Sequence, residues 1–463
     1  MQKGKGLSII IVGCGKVGVT LVEQLSREGH DITVIDRNRE LVEYISGTYD
    51  VMGVVGNGAS YSIQKEAGIE NTDLIIAVTE SDELNLLCCT VAKRVANCSA
   101  IARVRTPDYS QDVSYLQERL GLAMIFNPEL ESAREAARML SLPTALEVAA
   151  FAHGQAELVT FKIPQGNKLD GMKLWDMSKS IPADIETNVV ICAVERGDKV
   201  YIPSGNFQML CGDVISFVST AKVARKFLRS IGFKTRQVRS TMIVGGGRSS
   251  YYLAQELLSM GIEVKLIEKR RERCEELCEL LPDANIINGD GTSEDLLREE
   301  GVEYAESFVA LTGIDEENIL LTLHARNVSN AKVITKINRI TFRDAINSLN
   351  LGSVIYPRYI TSEAIVAYVR AKHNSMNSNV ETLNYICNNR VEAVEFRVNE
   401  ASDVTCTMLK DLKPKMKKDI LIACVNRSGK ILIPSGVDTI EVGDTVMVVT
   451  THSGFNDIRD ILA

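Results

Sequence analysis

Leu7-Ser8-Ile9-Ile10-Ile11-Val12-Gly13-Cys14-Gly15-Lys16-Val17-Gly18 decides the fold. An apolar run of strand length leads into glycines at GxGxxG spacing, and a helical pattern follows to about Arg27. Gly13 permits the tight turn, Gly15 lets a pyrophosphate approach the backbone, and Gly18 lets the new helix pack closely on the strand. The helix start offers unpaired N–H groups and the positive end of its dipole to a phosphate. Cys14 and Val17 complete the loop, and Lys16 adds a cation suited to phosphate. Asp36 ends the next strand, Asp31–Asp36, where an acid accepts hydrogen bonds from adenosine ribose hydroxyls. That acid favours NAD(H) over NADP(H), although Arg37 beside it pulls the other way.

The chain is written twice. Gly13 to Gly18 recurs as Gly245-Gly246-Gly247-Arg248-Ser249-Ser250, an offset of 245 − 13, or 232. Val34-Ile35-Asp36-Arg37 recurs as Leu266-Ile267-Glu268-Lys269, Gly56-Asn57-Gly58 as Gly289-Asp290-Gly291, and Ala77-Val78-Thr79 as Ala310-Leu311-Thr312. Ile202-Pro203-Ser204-Gly205 returns as Ile433-Pro434-Ser435-Gly436, and Gly212-Asp213 as Gly443-Asp444. A nearly constant offset means two copies of one two-domain unit.

Within the first copy, apolar strand runs at Leu7–Val12, Asp31–Asp36, Val51–Val55, Leu74–Val78 and Ala100–Val104 alternate with helical patterns. That order predicts an α/β fold with a doubly wound parallel sheet. Asn127-Pro128-Glu129 reads as the cap, first residue and first-turn acid of a helix reaching about Leu140. Short strands at Glu157–Ile163, Val189–Glu195, Lys199–Ile202 and Asp213–Ser219 then predict a small α+β module. The expected domains are residues 1–140 and 239–372 for the two Rossmann-like, nucleotide-binding parts, and 141–220 and 373–463 for the small modules. A basic linker, 221–238, contains Lys222, Arg225, Lys226, Arg229, Lys234 and Arg236 without an acid.

The candidate binding residues of the first copy are thus Gly13, Cys14, Gly15, Lys16, Val17, Gly18, Asp36 and Arg37. Asn57 can meet an adenine edge, and Thr79 and Arg103 end strands along the same carboxyl edge, where ligands of such sheets bind. The second copy offers Gly245, Gly247, Arg248, Glu268, Asp290 and Thr312. Its Ser250 replaces the third glycine and crowds the helix, so weaker binding or a different preference is expected there.

Other classes fit less well. A net charge of −8 (52 basic and 60 acidic residues) argues against nucleic acid as a partner. No apolar run approaches the ~18–20 residues that span a bilayer, and the chain start lacks a signal-peptide pattern. The histidines and cysteines show no metal-ligand spacing, and Cys274 and Cys278, four apart, read as two thiols on a helix. No Ser-His-Asp set appears, and Tyr61 and Lys65 come too early in the fold to serve a dehydrogenase. An NAD-dependent oxidoreductase remains the alternative to a non-catalytic binding protein.

The glycine loop, the acid ending the second strand and the Ile-Pro-Ser-Gly…Gly-Asp pattern resemble the regulator-of-potassium-conductance (RCK) family. Two such units in one chain resemble its tandem, TrkA-type members, over nearly the whole length. The resemblance implies a non-enzymatic regulator that binds NAD(H), ATP and ADP in its nucleotide-binding domains. It further implies a ring, here a homo-tetramer because doubled units close with fewer chains. That ring would sit in the cytoplasm on the inner membrane face, gating a TrkH- or TrkG-type potassium transporter. Related regulators hold a cation near a Pro-Glu pair. Pro128-Glu129 matches and Pro357-Arg358 does not, so Glu129 is the one candidate cation contact.

Overall fold

The computed structural model describes residues 6–463 except 111, 152–154, 178–180, 187, 234, 236, 339–345, 347, 348, 350, 374–378, 388 and 389. Strands β1 (Ser8–Val12), β2 (Asp31–Asp36), β3 (Met52–Val55), β4 (Leu74–Ala77), β5 (Ser99–Arg103) and β6 (Met124–Phe126) form a parallel sheet in the order β3-β2-β1-β4-β5-β6. Ile9, Ile10, Ile11, Leu74, Ile75 and Ile76 are fully buried. Central parallel strands covered on both faces require such unbroken apolar runs. The strand order reverses between β1 and β4, which opens a crevice at their carboxyl ends.

The next sheet is antiparallel: β7 (Glu147–Phe151), β8 (Ala156–Lys162), β9 (Val190–Arg196), β10 (Lys199–Tyr201) and β11 (Val214–Ser219), in the order β10-β9-β11-β8-β7. The second copy repeats both. Its parallel sheet contains β12 (Ser240–Val244), β13 (Glu263–Glu268), β14 (Asn285–Asn288), β15 (Ser307–Ala310), β16 (Lys332–Lys336) and β17 (Ser353–Ile355), ordered β14-β13-β12-β15-β16-β17. Its antiparallel sheet contains β18 (Val380–Ile386), β19 (Val391–Arg397), β20 (Ile420–Arg427), β21 (Lys430–Leu432) and β22 (Thr445–Thr450), ordered β18-β19-β22-β20-β21. Read from the other edge, that is the order of the first small sheet.

The chain forms two compact units that do not follow the repeat. One holds Met1–Ser132 with Tyr356–Val366, and the other holds Ala133–Ile355 with Ala367–Ala463. In the larger unit the two antiparallel sheets share one core. Phe151, Leu158, Cys192 and Val218 of the first pack with Ile386, Val391, Cys424 and Met447 of the second.

The Gly-Asp pattern has a structural role. Asp213, 1 % exposed, accepts from Arg196 Nε and Nη2 at 2.7 Å each. Asp444 repeats this with Arg427 at 2.9 and 2.8 Å. The expected linker at 221–238 begins as a helix, Ala221–Ser230, that belongs to the small-module core through Ala224, Phe227 and Leu228. Its Lys222, Arg225, Lys226 and Arg229 are exposed, while Lys234 and Arg236 lie outside the described residues. Among the described residues no helix is long and apolar enough to cross a membrane.

Candidate nucleotide sites

Each glycine loop closes on the end of its own fourth strand. Gly13 has φ +106°, and a Cβ there would stand 2.9 Å from Thr79 N. Gly245, at φ +101°, meets Thr312 N at 3.0 Å in the same way. Only glycine takes this backbone at so close an approach. Above Gly15 and Gly247 a Cβ would meet nothing within 4 Å. These residues precede the helices Lys16–Arg27 and Arg248–Ser259, so open space lies over helix starts with free N–H groups. Lys16 and Arg248 are exposed beside that space, whereas Cys14 and Val17 are buried and present only their backbone.

The strand-end acids fasten the loops. Asp36 accepts from Cys14 N at 2.6 Å and from Asn38 N at 2.9 Å, and it stays half-buried. Glu268 accepts from Gly246 N at 2.7 Å and Arg270 N at 2.8 Å, with Arg270 Nε 3.3 Å away, and it is 9 % exposed. A Cβ on Gly246 would lie 2.8 Å from Glu268 Oε2, so the longer acid occupies the room that Cys14 fills in the first copy. Burial, then the Asp36 carboxylate, pushes the Cys14 thiol up to about 12. A thiol raised this far stays protonated at neutral pH, which makes it a poor nucleophile.

One buried asparagine completes each crevice, and neither carries a motif of its own. Asn85 accepts from Thr79 N at 2.8 Å and donates to the carbonyls of Thr79 and Arg103. Asn318 repeats the clamp on Thr312 N, Thr312 O and Lys336 O. Their offset of 318 − 85, or 233, is the one signal that could have exposed them in the sequence. Thr79 therefore turns its hydroxyl inward to Asn85 and Ser81 O.

Arg103 also differs from its expected role at the ligand edge. Arg103 is 9 % exposed and its Nη2 donates to Thr79 O, so it braces the crevice from behind. Burial lowers it to about 10. Glu129 faces a protein cation: Arg105 Nη1 lies 3.8 Å away. Arg105 also reaches Asp82, whose carboxyl burial would raise. The Thr106 hydroxyl, the N–H groups of Arg105 and Thr106, and the Arg105 charge outweigh that and hold it low.

The outer edges of the two crevices differ. Arg37 is exposed, and the half-buried Asn57 accepts from Ala59 N at 3.2 Å. Their counterparts form an ion pair, Lys269 Nζ to Asp290 Oδ2 at 2.7 Å. Lys269, then the Thr292 hydroxyl and N–H, draw the Asp290 carboxyl down to about 2. Cys274 is buried with Sγ 3.3 Å from Glu268 O, and Cys278 is exposed, so they do not assemble as a pair.

Fold and crevices together define a class: tandem Rossmann-like domains, each followed by a small antiparallel module. The TrkA-N domain family matches residues 9–128 and again 241–357, and the TrkA-C domain family matches 393–463. A Trk system potassium uptake protein TrkA homolog of Archaeoglobus fulgidus is 30% identical over 455 residues, covering 98% of this chain and 100% of its own. The chain belongs to the TrkA family, the RCK-type regulatory proteins of potassium transport. The solved GsuK channel shares the fold at TM-score 0.64 and 16% identity, over 99% of this chain and 78% of its own. Solved forms include that channel bound to NAD (TM-score 0.63, 16% identity, 97% and 77% covered). Another is bound to ADP (TM-score 0.51, 14% identity, 79% and 69% covered).

Proposed function

We propose that this chain is a non-catalytic, nucleotide-binding regulatory subunit that gates a TrkH- or TrkG-type membrane potassium transporter in response to NAD(H), ATP and ADP. One observation carries the reading: in both copies, open space over a helix start adjoins a strand-end carboxylate that already holds the loop. The geometry suits a pyrophosphate at the loop and a ribose at the acid. The thiol at the first loop is held neutral and the Thr79 hydroxyl is engaged internally, which suits binding rather than turnover.

Gating follows from linkage. A ligand shifts an assembly between two shapes only by the difference in its affinity for them. Nucleotides that fill the crevice differently thereby set different resting positions of a ring, a homo-tetramer in this reading, on the inner membrane face. The test is potassium flux through the transporter reconstituted with this chain, with NADH, NAD, ATP and ADP added singly. Flux that depends on the chain and changes with nucleotide supports the proposal. Flux indifferent to both, or NADH consumed with a carbonyl substrate, overturns it.

A further inference from the structure

The residues after the strand-end acid differ sharply between the copies. Asp36 is followed by Arg37, Asn38, Arg39, Glu40 and Leu41, and Glu268 by Lys269, Arg270, Arg271, Glu272 and Arg273. Two of these four cations are committed elsewhere. Arg271 pairs with Glu275 at 3.0 Å, and Arg273 donates to Gly246 O at 2.7 Å while meeting Glu276 at 2.7 Å. Lys269 and Arg270 remain at the rim, with side chains 74% and 71% exposed.

We propose that the second site is built for a nucleotide whose adenosine ribose carries a phosphate, the NADP(H) class, while the first takes the unphosphorylated ribose of NAD(H). This rests on the reading that both crevices bind nucleotides. A ribose with free hydroxyls needs an acceptor at the strand end, and a 2′-phosphate needs cations there. The half-buried Asp36 fits the first need, and no ion pair is recorded for it among the described residues. Glu268 has withdrawn: it is nearly buried, holds two backbone N–H groups and has Arg270 against it.

Its charge is thereby spent before a ligand arrives, and the repulsion that an acid normally exerts on a 2′-phosphate is offset. Lys269 is available as well. Its partner Asp290 also accepts from the Thr292 N–H at 3.0 Å and hydroxyl at 2.7 Å, so that carboxylate keeps partners when Lys269 turns away. An exposed pair of this kind exchanges at little cost, because water screens it. A guanidinium and an ammonium converging on one phosphate dianion form charge-assisted bonds, about twice as strong as neutral ones.

The experiment uses the full chain with Asp36→Ala, which removes the first site's ribose acceptor. It is titrated calorimetrically with adenosine 2′,5′-bisphosphate and with AMP, which differ only in the 2′-phosphate, then with NADPH and NADH. We expect the bisphosphate to bind about tenfold or more tightly than AMP, with NADPH over NADH in the same sense. Lys269→Ala with Arg270→Ala should erase the preference and lower the melting temperature only slightly, since both side chains are exposed and Glu268 keeps its two backbone N–H donors. Equal or reversed affinities overturn the inference, as does a preference that survives the double substitution. If the unsubstituted chain binds none of the four compounds, the nucleotide-binding reading itself has failed, a separate result.

Discussion

The carboxylates of the two copies occupy matching positions in different company. Among the described residues Asp36 leans on backbone N–H groups, whereas Glu268 adds a cation and retreats from solvent. The small modules show the same contrast. Glu392 on β19 forms a buried bidentate pair with Arg370, at 3.0 and 3.2 Å. Its counterpart Glu157 on β8 has Arg225 and Arg138 as charges nearby, but Arg138 spends its Nε on Val148 O at 3.3 Å. Register sets this equivalence: Glu392 lies five residues before Arg397, opposite Thr445, as Glu157 lies five before Lys162, opposite Val214. Duplication thus preserved the backbone while letting each carboxylate acquire its own partners, and partners decide what a copy can bind and how firmly it folds.

The largest expected effect tests the small modules. Arg370→Ala leaves Glu392, 4 % exposed, without its cation and should cost about 3–5 kcal/mol, the usual penalty for half of a buried pair. Arg138→Ala removes one hydrogen bond to a carbonyl and should cost about 1 kcal/mol. Urea unfolding of both variants separates them. Equal losses would mean that the buried pair is no stronger a tie than the lone hydrogen bond.

Next in size is the contrast between the crevices. Asp36→Ala should weaken NAD(H) binding about tenfold to a hundredfold, the scale of a charged hydrogen bond. Glu268→Ala should change it far less, because that acid already faces inward. Calorimetry on each variant checks this, and a reversed ranking would show that Glu268 still serves the ribose.

A smaller effect belongs to the third loop position. A Cβ on Gly18 would stand 2.0 Å from Gly13 O, yet Ser250 occupies that place fully buried, with its Oγ lacking a partner. Ser250→Ala should stabilise the chain by about 1 kcal/mol, since a buried unpaired hydroxyl is unfavourable. A loss of stability would show that the hydroxyl has a partner, such as a bound water.

How much of this was legible depended on what each feature writes into the chain. The parallel sheets and glycine loops were plain, because buried strands need unbroken apolar runs and positive-φ turns need glycine. β6 and β17, three residues each, were too short for any periodicity. β7 and β18 escaped notice because an edge strand alternates weakly: β18 has only Val380, Leu383 and Ile386 buried. Asn85 and Asn318 left only their shared offset of 233 to go on, because a single buried amide has no pattern of its own, only a partner. Arg103 was assigned by its position at a strand end, and burial reassigned its side chain to the protein's own Thr79 carbonyl. The compact units could not be read at all, since residues 356–366 join the first copy's domain by packing, which no local spacing encodes.

The smallest expected effect is a dependence on pH, and it separates Glu157 from Glu392. Burial raises the Glu157 carboxyl above its ordinary 4.5, and the charges of Arg225 and Arg138 only partly offset this. An acid raised in the folded state binds its proton more firmly there than in the unfolded chain. Its contribution therefore favours folding below about pH 4.5 and is lost as pH climbs through the raised value. Near neutrality Glu157 is a liability, and Glu157→Gln should remove it. The substituted chain should gain on the original between pH 5 and about 7, with the difference vanishing toward pH 4. Glu392→Gln should lose stability throughout that range, because Arg370 would be left buried beside a neutral amide. Unfolding midpoints measured across the range for both variants decide the matter. If Glu157→Gln is as destabilising as Glu392→Gln at neutral pH, the first copy's glutamate is paired after all, through Arg225 or Arg138, and the two modules are alike in the feature that here distinguishes them.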